Sequence, residues 1–326
     1  MCTSSLLLIL IPKGADLVLN VNSIEKLKTR FLKPKLVLLY SIIPFIILIF
    51  VFSYVPLFGW VFSFFDYRPG MPLEKQQFVG LYNFALAFDK FSGFYNALRN
   101  TIVLNVLGLI ASPLPIAFAI MLAEIKQKRL SKFIQIVTSL PNFISWILVY
   151  SVFFAFFGNE GFVNSVLGNL GLITNHINLL GDVNAAWYFQ TLVGIWKTLG
   201  WNAIIYIAAM SGIDQELYSA AEVDGAGRFA KIRHITIPGI LPTYIVLLLL
   251  AVSNMLSNSF EQYFVFRNQL TISKLDVLDI FIYTKGIGAG QFGFATAVGM
   301  MKSVVSIGLL MFVNKLSKWV RGDSII

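Results

Sequence analysis

Charge is what this sequence has least of. Of its 326 residues 13% are Asp, Glu, Lys or Arg, against a hydrophobic share of 57% and a mean hydropathy of +0.76. A soluble domain carries about 25% charged residues, so this chain has too few polar side chains to cover a water-facing surface. Cysteine is scarcer still. Cys2 stands alone, which excludes an internal disulfide and a cysteine-ligated metal cluster. The two histidines, His176 and His234, lie far apart in sequence and form no evident catalytic or metal-ligating pattern. There is no G-x-x-x-x-G-K-[ST] loop to cradle nucleotide phosphates, and neither G-x-S-x-G nor H-E-x-x-H to mark a hydrolase. Self-similarity at a period of about 20–50 residues is also missing, as is a clear pair of inverted halves.

What is present is long apolar runs. A bilayer core about 30 Å thick needs about 20 apolar residues of helix. Six runs meet this: Leu36–Tyr54, Thr101–Ala123, Phe133–Phe157, Trp187–Met210, Ile240–Ser257 and Phe292–Val313. A backbone in lipid must satisfy its own hydrogen bonds, so these runs are expected to be helices and the fold all-α, a six-span polytopic membrane protein. Pro44, Pro113, Pro115 and Pro141 fall inside the runs; within a bundle, neighbouring helices can satisfy the carbonyls they free. The six-span domain is expected over residues 33–321, between an N-terminal tail, 1–32, and a C-terminal tail, 322–326. The run Leu6–Ile11, followed by Pro12, is too short for a span and fits no clean signal peptide.

The net charge of +9 is explained by position rather than by nucleic acid. Basic residues gather before run one (Lys26, Lys28, Arg30, Lys33), between runs two and three (Lys126, Lys128, Arg129, Lys132), between runs four and five (Arg228, Lys231, Arg233) and at the end (Lys315, Lys318, Arg321). The stretch Gly158–Ala186 holds no Lys or Arg. This bias places the basic segments and both termini on the cytoplasmic side.

The segment between runs four and five regains charge. Asp214 is a candidate N-cap for a short helix with Leu217, Ala220 and Ala221 on one face. The two alanines permit close approach of another surface. Gly225 suits the turn that ends this helix, because it tolerates positive φ. A second short helix, about Arg228–His234, is expected to lead to Pro238, where the next span starts. Such a helix–turn–helix on the cytoplasmic face can fit a groove in a partner and transmit rigid-body motion.

These residues carry a resemblance. Asp224-Gly225-Ala226, then eight residues, then Ile235-Thr236-Ile237-Pro238 resembles the EAA loop of binding-protein-dependent ABC importer permeases. Gly80-Leu81-Tyr82-Asn83-Phe84, Asn96-Ala97-Leu98-Arg99-Asn100-Thr101, Leu140-Pro141-Asn142-Phe143-Ile144-Ser145-Trp146, Ile195-Trp196-Lys197-Thr198-Leu199-Gly200-Trp201, Ala295-Thr296-Ala297-Val298-Gly299 and Asn314-Lys315-Leu316-Ser317 extend it from about Lys33 to Arg321. They are similar to segments of the carbohydrate-uptake branch, which imports oligosaccharides and polysaccharide fragments, like the alginate importer permeases.

The resemblance implies a bacterial cytoplasmic-membrane permease, not an enzyme, that binds no cofactor itself. ATP and Mg would sit on two copies of an ATPase subunit. A second, related permease would complete the path, and an extracytoplasmic binding protein would deliver the carbohydrate. The coupling loop, 213–238, would dock on the ATPase through Glu216, Tyr218, Ser219, Ala220, Ala221, Asp224, Gly225, Ala226, Arg228, Ile235 and Pro238. Ser219 stands where the family has a Glu expected to contact the ATPase; Glu222 and Glu216 are nearby carboxylates at other helical positions.

Lys197 and Lys302 are charges within apolar runs, and exposure to lipid costs each at least about 2.5 kcal/mol. Each is a candidate for the substrate path or a structural pair within the bundle, and Trp201 is a candidate path residue beside them. Trp146, Trp187, Trp196 and Trp201 could stack on sugar rings or serve as anchors and packing. Two other readings stay open: a permease for a solute other than a sugar, and a transporter driven by an ion gradient.

Overall fold

A computed structural model describes residues 34–173 and 177–321 of the chain. The expected tails, Leu6–Ile11 and His176 lie outside the described residues. The chain divides into two units, Met1–Gly59 and Trp60–Ile326.

In the first unit, α1 (Pro34–Ile49) passes through a π turn, Phe50–Tyr54, despite Pro44 in its interior. Its side chains from Tyr40 onward are exposed, Phe52 by 74%. An apolar surface of this kind belongs in lipid or against another protein.

The second unit opens with a hairpin of two short strands, β1 (Phe65–Asp66) and β2 (Gln77–Phe78), paired antiparallel with Phe65 opposite Phe78. Helices follow: α2 (Tyr82–Ala87), α3 (Phe94–Ala111), α4 (Leu114–Glu124), α5 (Lys128–Ser139), α6 (Trp146–Phe157), α7 (Phe162–Asn169) and α8 (Ala186–Ser211). The helical order continues with α9 (Gln215–Val223), α10 (Arg228–Ser253), α11 (Phe260–Phe266), α12 (Ile272–Leu275), α13 (Leu278–Tyr283) and α14 (Phe292–Arg321).

Among the described residues, six stretches are long and apolar enough to cross a membrane: Tyr40–Phe64, Phe94–Glu124, Trp146–Asn169, Ala186–Ser211, Arg228–Ser253 and Phe292–Lys318. The expected number is therefore found, with corrections to the boundaries: the first span reaches Phe64, and the run Thr101–Ala123 is interrupted between α3 and α4 at Ser112–Pro113. The run Phe133–Phe157 is not one helix. It is α5, a 3-10 turn at Leu140–Phe143 and α6, because Pro141 cannot continue the hydrogen-bond ladder. The fifth span starts at Arg228 rather than Ile240 and ends before Asn254. Its helix runs through Pro238 and Pro242 with a π turn at Ile232–Thr236.

Small residues set the spacing of the bundle. Ala97, Ala119, Ala203 and Ala297 are fully buried, as expected where lipid offers no hydrophobic drive and helices associate by close packing. Three cores follow. One gathers Leu104, Val149, Val193, Phe266 and Ile280. A second joins Ala97, Phe94, Phe281 and Val298. The third holds Ala119, Ala203, Tyr206 and Ile240.

Buried polar side chains fix the segments between spans. Asn100 donates to the Ser273 and Asp276 carbonyls, each at 3.1 Å, and Thr101 Oγ1 accepts from Leu278 N at 2.9 Å. Asn83 donates to the carbonyls of Ser63 at 2.9 Å and Phe65 at 3.1 Å. The Asn-Thr and Leu-Tyr-Asn-Phe sequence patterns thus mark backbone pins.

Candidate functional site

Two features stand out: a hairpin at one end of the bundle and a chamber beside its broken helices. The hairpin begins at Asp214, whose carboxylate accepts from Glu216 N at 2.9 Å and caps α9. Glu216 lies in the first turn, where a negative charge complements the helix dipole. The helix ends as a reversed turn. Ala226 N donates to Ala221 O at 2.8 Å and Gly225 N to Glu222 O at 3.1 Å, with Gly225 at φ +76°. A Cβ at Gly225 would meet nothing within 4 Å. Backbone conformation, not space, demands glycine there.

The second arm is a correction to the expected separate helix: Arg228 begins α10, so the first turns of the fifth span are themselves the arm. Rigid connection follows from this continuity. Tyr218 Oη and Thr236 Oγ1 lie 2.9 Å apart, Lys231 pairs with Glu222 at 3.3 Å, and Arg228 reaches Glu124 at the end of α4 at 3.6 Å. These surface pairs add little stability individually, but they join the hairpin to two spans. Glu216, Ser219, Ala220, Asp224, Gly225, Arg228 and Pro238 are exposed, while Tyr218, Ala221, Ala226 and Ile235 are half-buried. The Ser219 hydroxyl turns back to Gln215 O at 3.1 Å. Val223 and Phe229, neither singled out in the sequence, are each 88% exposed. An apolar pair in a charged segment was the available signal.

The chamber, of about 810 Å³, is bordered by three interruptions of helix. The first is Ser112–Pro113 between α3 and α4, where the Ser112 and Tyr244 hydroxyls lie 2.9 Å apart. The second is the Asn142–Ser145 stretch and the third Ser257–Ser259. Polar groups on the wall include Asn105, Gln190, Asn202, Asn258, Glu261 and Gln262. Gln262 donates to Gln190 O at 2.9 Å and Oε1 at 3.1 Å, fastening α11 to α8. The sequence reading missed these amides and Glu261. Their signal was the polar cluster Ser257–Gln262 directly after an apolar run.

Lys197 belongs to this wall but is 5% exposed. Its ammonium donates to the carbonyls of Pro141 at 2.8 Å, Asn142 at 3.0 Å and Ile144 at 2.6 Å, and sits 5.1 Å from the Trp146 ring centroid. A lysine has three N–H donors, so all are engaged. Gly200, one turn further, presses the same break: a Cβ there would fall on the Thr138 carbonyl group. Both lie near the middle of the 26-residue α8. The Pro141 break therefore packs against the middle of α8, and Lys197 donates to the carbonyls exposed there.

The structure does not bring Trp201 or Lys302 to the chamber wall. Trp201 packs edge-on to Phe143, with centroids 5.4 Å apart. Lys302 is bound to Asp279, whose other oxygen accepts from Asn258 N at 3.1 Å. Trp187 donates to Lys274 O at 2.9 Å and Trp196 packs on Phe153 at 5.4 Å; of the four tryptophans only Trp146 lines the chamber. Outside the spans, Arg267 and Asp276 pair at 2.8 Å. Burial pushes the Asp276 carboxyl up from its ordinary value, against the opposing pull of Arg267. No group of three or more His, Cys, Asp or Glu able to hold a metal occurs among the described residues.

Six apolar spans, a polar chamber beside broken helices and a braced hairpin define a membrane transport subunit. The chain belongs to the family of binding-protein-dependent transport system inner membrane components, whose profile matches residues 98–322. It is 37% identical over 281 residues to Protein LplB of Bacillus subtilis (strain 168), covering 85% of this chain and 87% of that protein. With the polygalacturonan/rhamnogalacturonan transport system permease protein YteP of the same organism it shares 36% identity over 281 residues, 85% of this chain and 86% of the relative. A chain of a bacterial alginate ABC transporter, solved with an alginate pentasaccharide-bound periplasmic protein, superposes with a TM-score of 0.81 at 30% identity, covering 91% of this chain and 99% of that one. The resemblance read from the EAA-like loop and its flanking motifs thus holds. The chain is a multi-pass inner-membrane ABC permease, a transport subunit and not an enzyme.

Proposed function

We propose that this chain is one of two related permeases that together form a path for carbohydrate, an oligosaccharide or polysaccharide fragment. An extracytoplasmic binding protein delivers the solute, and two ATPase subunits, which hold the ATP and Mg, drive the cycle. The chain itself binds no cofactor in this scheme. Both termini and the hairpin face the cytoplasm. One ATPase subunit receives residues 213–238, with Glu216, Ser219 and the exposed apolar pair Val223 and Phe229 at the contact. ATP binding closes the ATPase pair, the hairpin moves as a rigid body with α10, and the path opens to the outside; hydrolysis resets it.

The observation that carries this reading is the continuity of the hairpin with the fifth span, braced by Tyr218–Thr236 and Arg228–Glu124. Carbohydrate is supported by the functions of the relatives, and the amide-lined chamber wall is chemically suited to hydroxyl-rich solutes. Lys197 borders that wall and holds the break in place; Trp146 is a ring available to a sugar face.

The test is reconstitution of both permeases, the ATPase and the binding protein in vesicles, with uptake of labelled oligosaccharide as readout. Uptake should require ATP inside and be indifferent to an imposed proton or sodium gradient. Gradient-driven uptake without ATP would overturn the reading.

A further inference from the structure

A cleft of about 590 Å³ opens where α4 gives way to α5, lined by Glu124, Lys126, Lys128, Ser131, Lys132 and Gln135 among others. Residues 128, 131, 132 and 135 recur at helical spacing, so one face of α5 forms a wall. Ser131 fixes that wall by donating to Leu122 O at 2.8 Å. Three lysines converge here, and none has a carboxylate within ion-pair distance among the described residues. Glu124, the carboxylate of the lining, is drawn to Arg228 at 3.6 Å. The cleft therefore carries uncompensated positive charge.

The neighbouring face of α5 is apolar and exposed. Leu130, Phe133, Ile136 and Val137 are exposed by 44%, 64%, 51% and 45%. They run from the cleft toward the break at Pro141, which packs against the middle of α8. A ligand that meets both surfaces has an anionic head and an apolar tail. Free phosphate would satisfy only the lysines, and an acidic protein segment would leave the stripe uncovered. The Arg228–Glu124 contact sets the cleft beside the hairpin, so on the reading above it lies at the cytoplasmic surface, where anionic lipid attracts clustered lysines.

We propose that this cleft binds the headgroup of an anionic phospholipid of the inner leaflet, with its acyl chains along the Leu130–Val137 stripe. Lys126, Lys128 and Lys132 contact the phosphate, and Ser131 and Gln135 border it. Because Glu124 joins the same wall to the hairpin, the lipid also stiffens the base on which the hairpin turns.

The assembled transporter, with both permeases, ATPase and binding protein, is reconstituted in phosphatidylcholine with and without phosphatidylglycerol. Lipid retained after detergent extraction is weighed by native mass spectrometry. The wild type should retain phosphatidylglycerol in preference to phosphatidylcholine. Lys126→Gln, Lys128→Gln and Lys132→Gln combined should lower that preference several-fold, while the same three positions changed to Arg should keep it. If the triple Gln variant fails to assemble, each single Gln variant should show a partial loss. Equal retention in wild type and Gln variants overturns the site, as does displacement of the lipid by inorganic phosphate alone. An assembly that imports under ATP but retains no anionic lipid sinks the lipid site only. One that retains the lipid but does not import under ATP sinks the transport reading only.

Discussion

Lys197 shows how a charge is tolerated at the centre of a membrane bundle. Of the three carbonyls that meet the ammonium at the Pro141 break, that of Pro141 also accepts from Ile144 N at 3.2 Å; each of the other two would cost about 1–3 kcal/mol if left without a partner. One ammonium meets all three, and the ring of Trp146 adds a cation–π contact. Lys197→Met keeps the length of the side chain and removes every donor. It should destabilise the permease by about 2 kcal/mol or more, seen as a lowered midpoint of thermal unfolding in detergent and lowered transport. An unchanged midpoint would show that water replaces the ammonium without cost. Gly200 is the steric counterpart. A Cβ there would lie on the Thr138 carbonyl group and 2.7 Å from Ser139 N. Backbone cannot yield as a side-chain tip does, so Gly200→Ala should cost about 1–3 kcal/mol by overpacking. That loss is measurable in the same unfolding experiment, and a stability equal to wild type would mean that α5 shifts freely. The sequence made both residues visible as a lysine and a glycine in an apolar run. It did not show what they touch, because Thr138 and Pro141 lie some 60 residues upstream.

At the scale of elements, the hairpin was the most legible part of the chain. Its local chemistry is complete within a few residues: an Asp cap, two alanines and a glycine turn. Those signals correctly placed α9 and the positive φ of Gly225. They did not place the end of the second arm, since a helix that passes from charged to apolar residues without a break gives no boundary signal. The prolines were likewise ambiguous. Pro113 and Pro141 interrupt their helices, whereas Pro238 and Pro242 do not. Only neighbours decide which carbonyls are compensated. The turn also yields a test of coupling. A non-glycine residue in the left-handed region costs roughly 1–2 kcal/mol, more if β-branched, and the space at Gly225 is open. Gly225→Val should therefore insert normally and leave the bundle intact. It should misdirect the hairpin, lowering ATP hydrolysis stimulated by the loaded binding protein in vesicles. Full stimulation in this variant would mean that the turn transmits nothing.

The whole molecule carries a net charge of +9, yet its chamber presents little positive charge. The Lys197 ammonium is enclosed by carbonyls, and Lys302 is neutralised by Asp279 away from the wall. Glu261 is the exposed ionisable group on that surface. Basic residues instead collect in the α4–α5 cleft and around the hairpin. On the proposals above the two populations have different tasks: one meets anionic lipid and a partner, the other leaves a path of amides and hydroxyls. In the two-permease arrangement proposed above, Glu261 gives this half of the path a negative bias. A unit charge acting through a partly water-filled space contributes on the order of 1 kcal/mol, or about fivefold in preference. Glu261→Gln should therefore shift selection toward uronate oligosaccharides over neutral ones of equal length by about fivefold. The ratio is read by competitive uptake into vesicles at fixed ATP, with one binding protein that loads both sugars. A ratio that stays at the wild-type value would place charge selection wholly in the binding protein or the second permease. In that case the chamber wall of this chain would serve only to exclude lipid and admit water.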